Sequence, residues 1–186
     1  MLGKIVLLAA LLGMTLAPQA SAEDQGPDAV FLRTAVFVTD LEPAVAFFRD
    51  VLGYREASRS EQTDAVPGNA LGLPAGAKRR LAMLTSDGGA GVAIMEVKHP
   101  DFRPVPRDAK GANMAGDVMF LHLVKSVDAV YRRAVARGYT VLQPPAPSTS
   151  GKSRQIFLLG PGGLRIEAHE YVDPALKAAP RRPGEG

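Results

Sequence analysis

There is no cysteine and no tryptophan among the 186 residues, and only 6% of them are aromatic. Without cysteine there is no disulfide framework, no thiol nucleophile, no Cys-ligated zinc and no lipidated N-terminal Cys. Stability must come from an ordinary apolar core, which a 46% hydrophobic composition can supply. Long apolar runs are missing too: Ile5 to Leu16 is too short to span a bilayer. Neither sign of charge dominates, with 22 Lys and Arg against 19 Asp and Glu. Part of the basic excess (Lys177, Arg181, Arg182) lies in a tail ending in Pro and Gly. No basic stripe interleaved with aromatics occurs elsewhere, so nucleic acid is not an expected partner. Gly88-Gly89 and Gly160-Pro161-Gly162-Gly163 have no Lys-Ser or Lys-Thr after them and read as turns, not phosphate loops. No Gly-x-Ser-x-Gly motif supports serine hydrolysis.

What is present begins with an export signal. Met1-Leu2-Gly3-Lys4 gives a short positive start, the apolar run follows, and Ala20-Ser21-Ala22 offers the small-x-small pattern of a cleavage site. Residues 1–22 therefore read as a signal peptide, with a mature chain from Glu23, a periplasmic or secreted location and no stable membrane anchor after cleavage.

Two stretches of the mature chain repeat one pattern. Val30 to Val38 is a β-branched and aromatic run of the strand type. Asp40 suits a helix N-cap, with Pro43 tolerated in the first turn. Val45, Phe48 and Leu52 form an apolar stripe at helical spacing, and Gly53 closes the helix before Tyr54. The second copy runs Val118 to Val124 as a strand and about Val127 to Arg137 as a helix, ending in Gly138-Tyr139. Short strands follow each helix: about Tyr54 to Ser60, Arg79 to Thr85 and Gly91 to Val97, then Thr140 to Gln143, Arg154 to Leu159 and Leu164 to Tyr171. A Gly- and Pro-containing excursion, Val66 to Gly76, interrupts the first set, and Pro144-Pro145 and Pro147 break the chain after Gln143. The chain thus reads as α+β, two βαβββ modules at 30–97 and 115–172, a connector at 98–114 and a disordered basic tail at 173–186. One such module buries too little sheet to stand alone, so the copies should pack together.

With this repeat in place, the sequence resembles the vicinal oxygen chelate (VOC) superfamily, which includes glyoxalase I, bleomycin-resistance proteins and extradiol dioxygenases. Val36-Phe37-Val38-Thr39-Asp40-Leu41 through Phe47 to Tyr54 is similar to that family's opening strand and helix. Arg154 to Glu167, with its Gly160-Pro161-Gly162-Gly163 turn, resembles the closing hairpin. The resemblance implies a curved, cleft-forming mixed sheet with helices on the outside. It also implies up to four metal ligands, usually His, Gln or Glu, from the first and last strands of each half. Carried onto this sequence, those positions are Arg33, Glu96, Met119 and Glu167. Arg33 has no lone pair to give, and the Met119 thioether is a poor partner for hard or borderline ions. His122 competes with Met119 for the third position. Strand alternation places Met119, Leu121 and Leu123 on one face and Phe120, His122 and Val124 on the other, which assigns His122 to the helix side. His169 shares the face of Glu167.

These positions lead to a specific expectation. Glu96 and Glu167 meet in a partly buried cleft, where like charges repel, and Arg33 takes the place of the metal by bridging them. Apolar side chains such as Phe37, Ile94, Met119, Leu121 and Ile156 line the cleft. Arg33, Glu96, Glu167 and His169 orient a small-molecule ligand, and no cofactor is needed. The alternative is a divalent metal at Glu96, Glu167 and, in one register, His122. Glu96 or Glu167 would then be the base of a glyoxalase-like lyase or isomerase. An extradiol-type dioxygenase would need two His and one carboxylate, which the matching positions do not offer. Binding protein and enzyme both stay open here, as does pairing of the modules within one chain or across a homodimer.

Overall fold

The computed structural model describes residues 32–87, 91–104 and 117–178. The expected signal peptide, most of the connector and the end of the tail lie outside the described residues. The first module consists of β1 (Arg33–Val38), α1 (Leu41–Asp50), β2 (Arg55–Gln62), β3 (Lys78–Thr85) and β4 (Gly91–Lys98). The second consists of β5 (Met119–Leu123), α2 (Val127–Ala136), β6 (Val141–Pro147), β7 (Ser153–Leu159) and β8 (Arg165–Tyr171). A short helix, α3 (Pro174–Ala178), follows where the composition suggested only a tail, and it packs on β8. Each module makes its own four-stranded sheet, in the orders β1-β4-β3-β2 and β5-β8-β7-β6. The first and last strands of each module are parallel and the other pairs antiparallel. This is the expected α+β pair of βαβββ modules. No helix among the described residues is long and apolar enough to cross a membrane.

The helix boundaries follow from the residues at their ends. The Asp40 carboxylate accepts the Glu42 amide at 3.2 Å, and the Ser126 hydroxyl accepts the Ala129 amide at 3.2 Å, satisfying first-turn donors that have no partner in the helix. Gly53 closes α1 with φ +83, a conformation costly for any residue with a Cβ. It lets the Gly53 and Tyr54 amides donate back to the Arg49 and Phe48 carbonyls at 3.1 and 3.0 Å.

One core joins the modules. Phe47, Phe48, Leu41 and Val45 of α1 pack in the same cluster as Val127, Val130 and Ala134 of α2, with Leu84 and Ile94 from one sheet and Ile156, Leu158 and Ile166 from the other. Each large apolar side chain so buried contributes roughly 1.5–3 kcal/mol. Polar and aromatic contacts cross the junction: the Phe47 and Tyr139 rings meet edge-on at 4.9 Å, and Arg133 donates to the Val51 carbonyl at 2.8 and 2.9 Å. Each sheet therefore spends one face on the shared core and turns the other away. Alternation sends Arg33, Ala35 and Phe37 of β1, and Met119, Leu121 and Leu123 of β5, to these outer faces.

Two edge strands explain departures from the expected boundaries. β6 continues through Pro144, Pro145 and Pro147 to Pro147, beyond the expected stop at Gln143, with register irregularities against β7. An edge strand needs hydrogen bonds on one side only, so prolines are tolerated there. β2, the other edge, is polar and mostly exposed, which discourages pairing with a stray strand. β1 and β5 are the remaining edges, and neither pairs with the other.

Candidate functional site

The two glutamates do not meet. Ile94 and Ile166 are both fully buried on the core side of their sheets. Glu96, two residues after Ile94, shares that core side; Glu167, one residue after Ile166, does not. Glu96 is 2% exposed. One carboxylate oxygen accepts the Leu41 amide at 3.1 Å, the first of α1, and Arg80 closes a two-pronged pair at 2.7 and 2.9 Å. Lys98 lies 3.4 Å away. The Arg80 guanidinium, helped by the Leu41 amide and Lys98, holds the Glu96 carboxyl at about 2 despite its burial.

The second module repeats this clamp. Glu170 on β8 accepts the Val127 amide, the first of α2, at 3.1 Å. Arg154, which faces Glu170 across the β7–β8 ladder, forks onto Asp128 at 2.6 and 2.8 Å. A carboxylate from the last strand thus anchors the positive end of each helix. Glu96 is part of that structural pair and does not belong to a cleft with Glu167. Sequence reasoning missed Glu170, whose signal is the repeat itself: it stands four residues after Ile166 on the same side.

Arg33 makes no bridge either. It is exposed on β1, opposite Gly91 in register, and its guanidinium lies 3.4 Å from the Met83 sulfur. Ile94 and Ile156, expected in the cleft, are buried in the core instead. His122 is on the helix side, where its ring meets Tyr54 edge-on at 5.8 Å and its Nδ1 lies 3.3 Å from the Phe120 carbonyl oxygen. Burial pushes its pKa down, so the neutral ring is favoured.

What the structure does bring together is on the outer face of the second sheet. His169 Nε2 and Glu167 Oε1 are 2.8 Å apart, and Ser153 Oγ stands 3.5 Å from His169 Nδ1. The ring is therefore held from both sides. Register places Leu121 and Phe157 on either side of Glu167, and Leu123 and Gln155 on either side of His169. Leu121 is 64% exposed and Leu123 43%. The result is an acid–imidazole pair set among apolar side chains, the mixture that orients small ligands. Ser153, Gln155 and Phe157 escaped sequence reasoning, although their alternation with Arg154, Ile156 and Leu158 signals this face.

The outer face of the first sheet has a different chemistry. Phe37 and Met95 are neighbours in register, followed by Leu81 on β3. The Val66 to Gly76 excursion folds back on this sheet: Leu73, Ala65 and Ala77 pack against Val97, with Met95 and Phe102 beside them. Asn69 latches the loop through its side chain, donating to the Val66 and Leu73 carbonyls and accepting the Leu73 amide.

A divalent ion finds a poor donor set here. Among the described residues no three His, Asp or Glu side chains converge. Of the four positions implied by the resemblance, only Glu167 presents a suitable atom on an outer face.

The family model described as Glyoxalase/Bleomycin resistance protein/Dioxygenase superfamily matches residues 11–168. A glyoxalase family protein from Bacillus cereus superposes with a TM-score of 0.64 at 20% identity, covering 81% of this chain and 99% of that one. A glyoxylase/bleomycin resistance protein/dioxygenase domain from Frankia sp. EAN1pec gives a TM-score of 0.55 at 14% identity, covering 78% and 99%. Glyoxalase I from Zea mays gives 0.54 at 16% identity; the match covers 76% of this chain and 47% of the maize chain. At these identities the likeness is one of fold. No curated protein matches the sequence.

Proposed function

This chain belongs to the Glyoxalase/Bleomycin resistance protein/Dioxygenase superfamily, and from that premise we propose that it is an exported protein that binds a small molecule on its outer sheet faces without a divalent metal. The observation that carries the reading is the Glu167–His169 pair, fixed at 2.8 Å beside exposed Leu121 and Leu123. The chemistry of the other inherited positions supports the metal-free form: a guanidinium at 33, a thioether at 119, and a Glu96 carboxylate already taken by Arg80 and the Leu41 amide. A ligand with a hydrogen-bond donor or a positive group suits Glu167, and its apolar body suits Leu121 and Phe157. The leading segment Met1 to Ala22 supports export.

A second copy completes the site in this reading. β1 and β5 are open edges bearing Phe37, Leu121 and Leu123, each more than a third exposed. Joining one protomer's β1 edge to the other's β5 edge would pair these strands and set Phe37 and the leucines on one continuous face. A homodimer in which each ligand meets both modules follows.

The same pair favours a second reading, a lyase or isomerase in which Glu167 is the base and His169 positions it. Metal analysis and a thermal-shift screen separate the possibilities. Only a ligand that prefers the folded state raises the melting point. Substoichiometric metal, an unchanged melting point in chelator and stabilisation by a small molecule that is lost in Glu167→Gln are expected. A stoichiometric divalent ion whose removal lowers the melting point would refute the proposal.

A further inference from the structure

Each module has a cleft at its strand-to-helix junction, and the two differ in chemistry. Each lies where the first strand of a module gives way to its helix, and is bordered by residues that follow the third strand of the other module. The cleft at β1–α1, about 520 Å³, is lined by Phe37, Thr39, Asp40 and Pro43 and closed by Pro161 and Gly162. The cleft at β5–α2, about 630 Å³, is lined by Leu123, Lys125, Ser126 and Ala129 and closed by Ser86 and Asp87. Counted from the first residues of the helices, Leu41 and Val127, the stretch from Phe37 to Asp40 with Pro43 corresponds to that from Leu123 to Ser126 with Ala129. The loop around Leu71 to Leu73 and the stretch from Phe102 to Pro104 line the first cleft only.

The correspondence separates what the fold requires from what it does not. The seventh residue of α1 is Phe47, fully buried; the seventh of α2 is Arg133, half-buried and on the wall of the second cleft. Thr39 and Asp40 in the first module occupy the positions of Lys125 and Ser126 in the second. The architecture thus accepts an aromatic ring, a hydroxyl and a carboxylate where the second cleft has two cations and a hydroxyl. Arg133 bonds the Val51 carbonyl through Nε and Nη2, and among the described residues no acceptor engages Nη1. No carboxylate neutralises it among the described residues. Asp87, the acidic group on the rim, is paired with Arg55 at 2.6 Å. His122 is kept toward its neutral form by burial. The Val127 and Ala129 amides of the first turn of α2 are used by Glu170 and Ser126, so the recognition rests on side chains. Leu52, Leu121 and Leu123 provide apolar walls.

We propose that this second cleft is a binding site for a small organic carboxylate with an apolar body, gripped by Lys125 and Arg133. The volume suits a ligand of that size, and a guanidinium matches a carboxylate in geometry and charge. Leu121 and Leu123 border both this cleft and the Glu167–His169 pair, but the polar anchors differ. Loss of Lys125 or of Glu167 therefore tests one site without removing the other's anchor.

The test uses the full chain, isotope-labelled, titrated with benzoate and with benzyl alcohol as its uncharged analogue. Benzoate should shift the amide signals of Gly53, Ser126 and Ala129 in a saturable way, and added salt should weaken it. Benzyl alcohol should bind about tenfold more weakly or not at all, the difference expected for an ionic anchor. Lys125→Glu should weaken benzoate by at least about tenfold with an unchanged melting point, since Lys125 is exposed. Arg133→Met removes the anchor but also a contact to the end of α1; Arg133→Lys, which keeps a charge, should restore part of the affinity. Equal binding of benzoate and benzyl alcohol, shifts confined to Gln155 and His169, full affinity in Lys125→Glu, or no saturable shift would each overturn the proposal.

Discussion

Glu96→Gln separates a structural carboxylate from a ligand-binding one. In the native protein the Glu96 carboxyl is held at about 2, against an ordinary value of 4.5, chiefly by Arg80. A depressed carboxyl stabilises the fold above its unfolded value and loses that stabilisation as the pH falls through the folded one. The difference corresponds to roughly 3 kcal/mol at pH 7. Arg80 is 35% exposed, so solvent screens part of the attraction, and a loss of about 2–3 kcal/mol is expected. Glutamine keeps the shape and an oxygen for the Leu41 amide but gives up the charge facing Arg80 and Lys98. For a chain of this length the melting point should fall by about 5–10 °C. Urea unfolding followed by far-UV circular dichroism at pH 7 and pH 3 measures both terms, since there is no tryptophan to report. The gap between native and variant should shrink by more than half at pH 3, where the unfolded chain has largely taken up the proton. A gap that stays constant with pH, or is below about 0.5 kcal/mol at pH 7, would refute the reasoning. So would a variant of native stability that has lost its ligand.

Three further changes probe other parts of the fold. Arg33→Glu, at an exposed position whose guanidinium lies against the Met83 sulfur, should alter stability by no more than about 0.5 kcal/mol in the same urea melts; a loss several times larger would reinstate a buried bridge. Gly53→Ala should cost about 1 kcal/mol or more, because φ is +83 while nothing lies within 4 Å of an added Cβ, so the effect is purely one of backbone. His122→Gln should flatten the pH dependence of the melting point between about pH 7 and 5. Burial depresses the His122 pKa, so the native chain loses stability as the pH falls below the unfolded value of about 6.5, and a variant with the same slope would exclude His122 as its source.

Much of the fold is legible in the sequence because its signals are local. Asp40, Gly53 and Gly138 stand at helix ends and act there as their chemistry predicts. The apolar stripes Val45–Phe48 and Val127–Val130–Ala134 are the buried faces of the helices. Less legible is anything set by neighbouring strands. The prolines of β6 look like a stop until the strand is known to be an edge. The Asn69 latch depends on a loop closing on itself, and the Lys125–Arg133 cleft on the meeting of two modules.

The error over Glu96 is one of parity, and correcting it changes what a ligand would meet. On a strand, a shift of one residue exchanges the faces. Counted from buried Ile94, Glu96 falls on the core side; counted from buried Ile166, Glu167 falls on the outer side. The residue of β4 that shares the outer face beside Phe37 is Met95, not an acid. The first module therefore offers thioether and aromatic surface, and the second an oriented carboxylate and imidazole. A ligand spanning both would find one apolar wall and one polar wall, with no two-carboxylate cage. Converting Met95 to Glu should test this asymmetry. If the site is the one inferred, the added acid meets neither Arg80 nor the Leu41 amide, which stay with Glu96. It should leave stability within about 1 kcal/mol while weakening an apolar ligand. Stabilisation of that variant by added zinc, absent in the native chain, would show that the outer faces of two copies do converge.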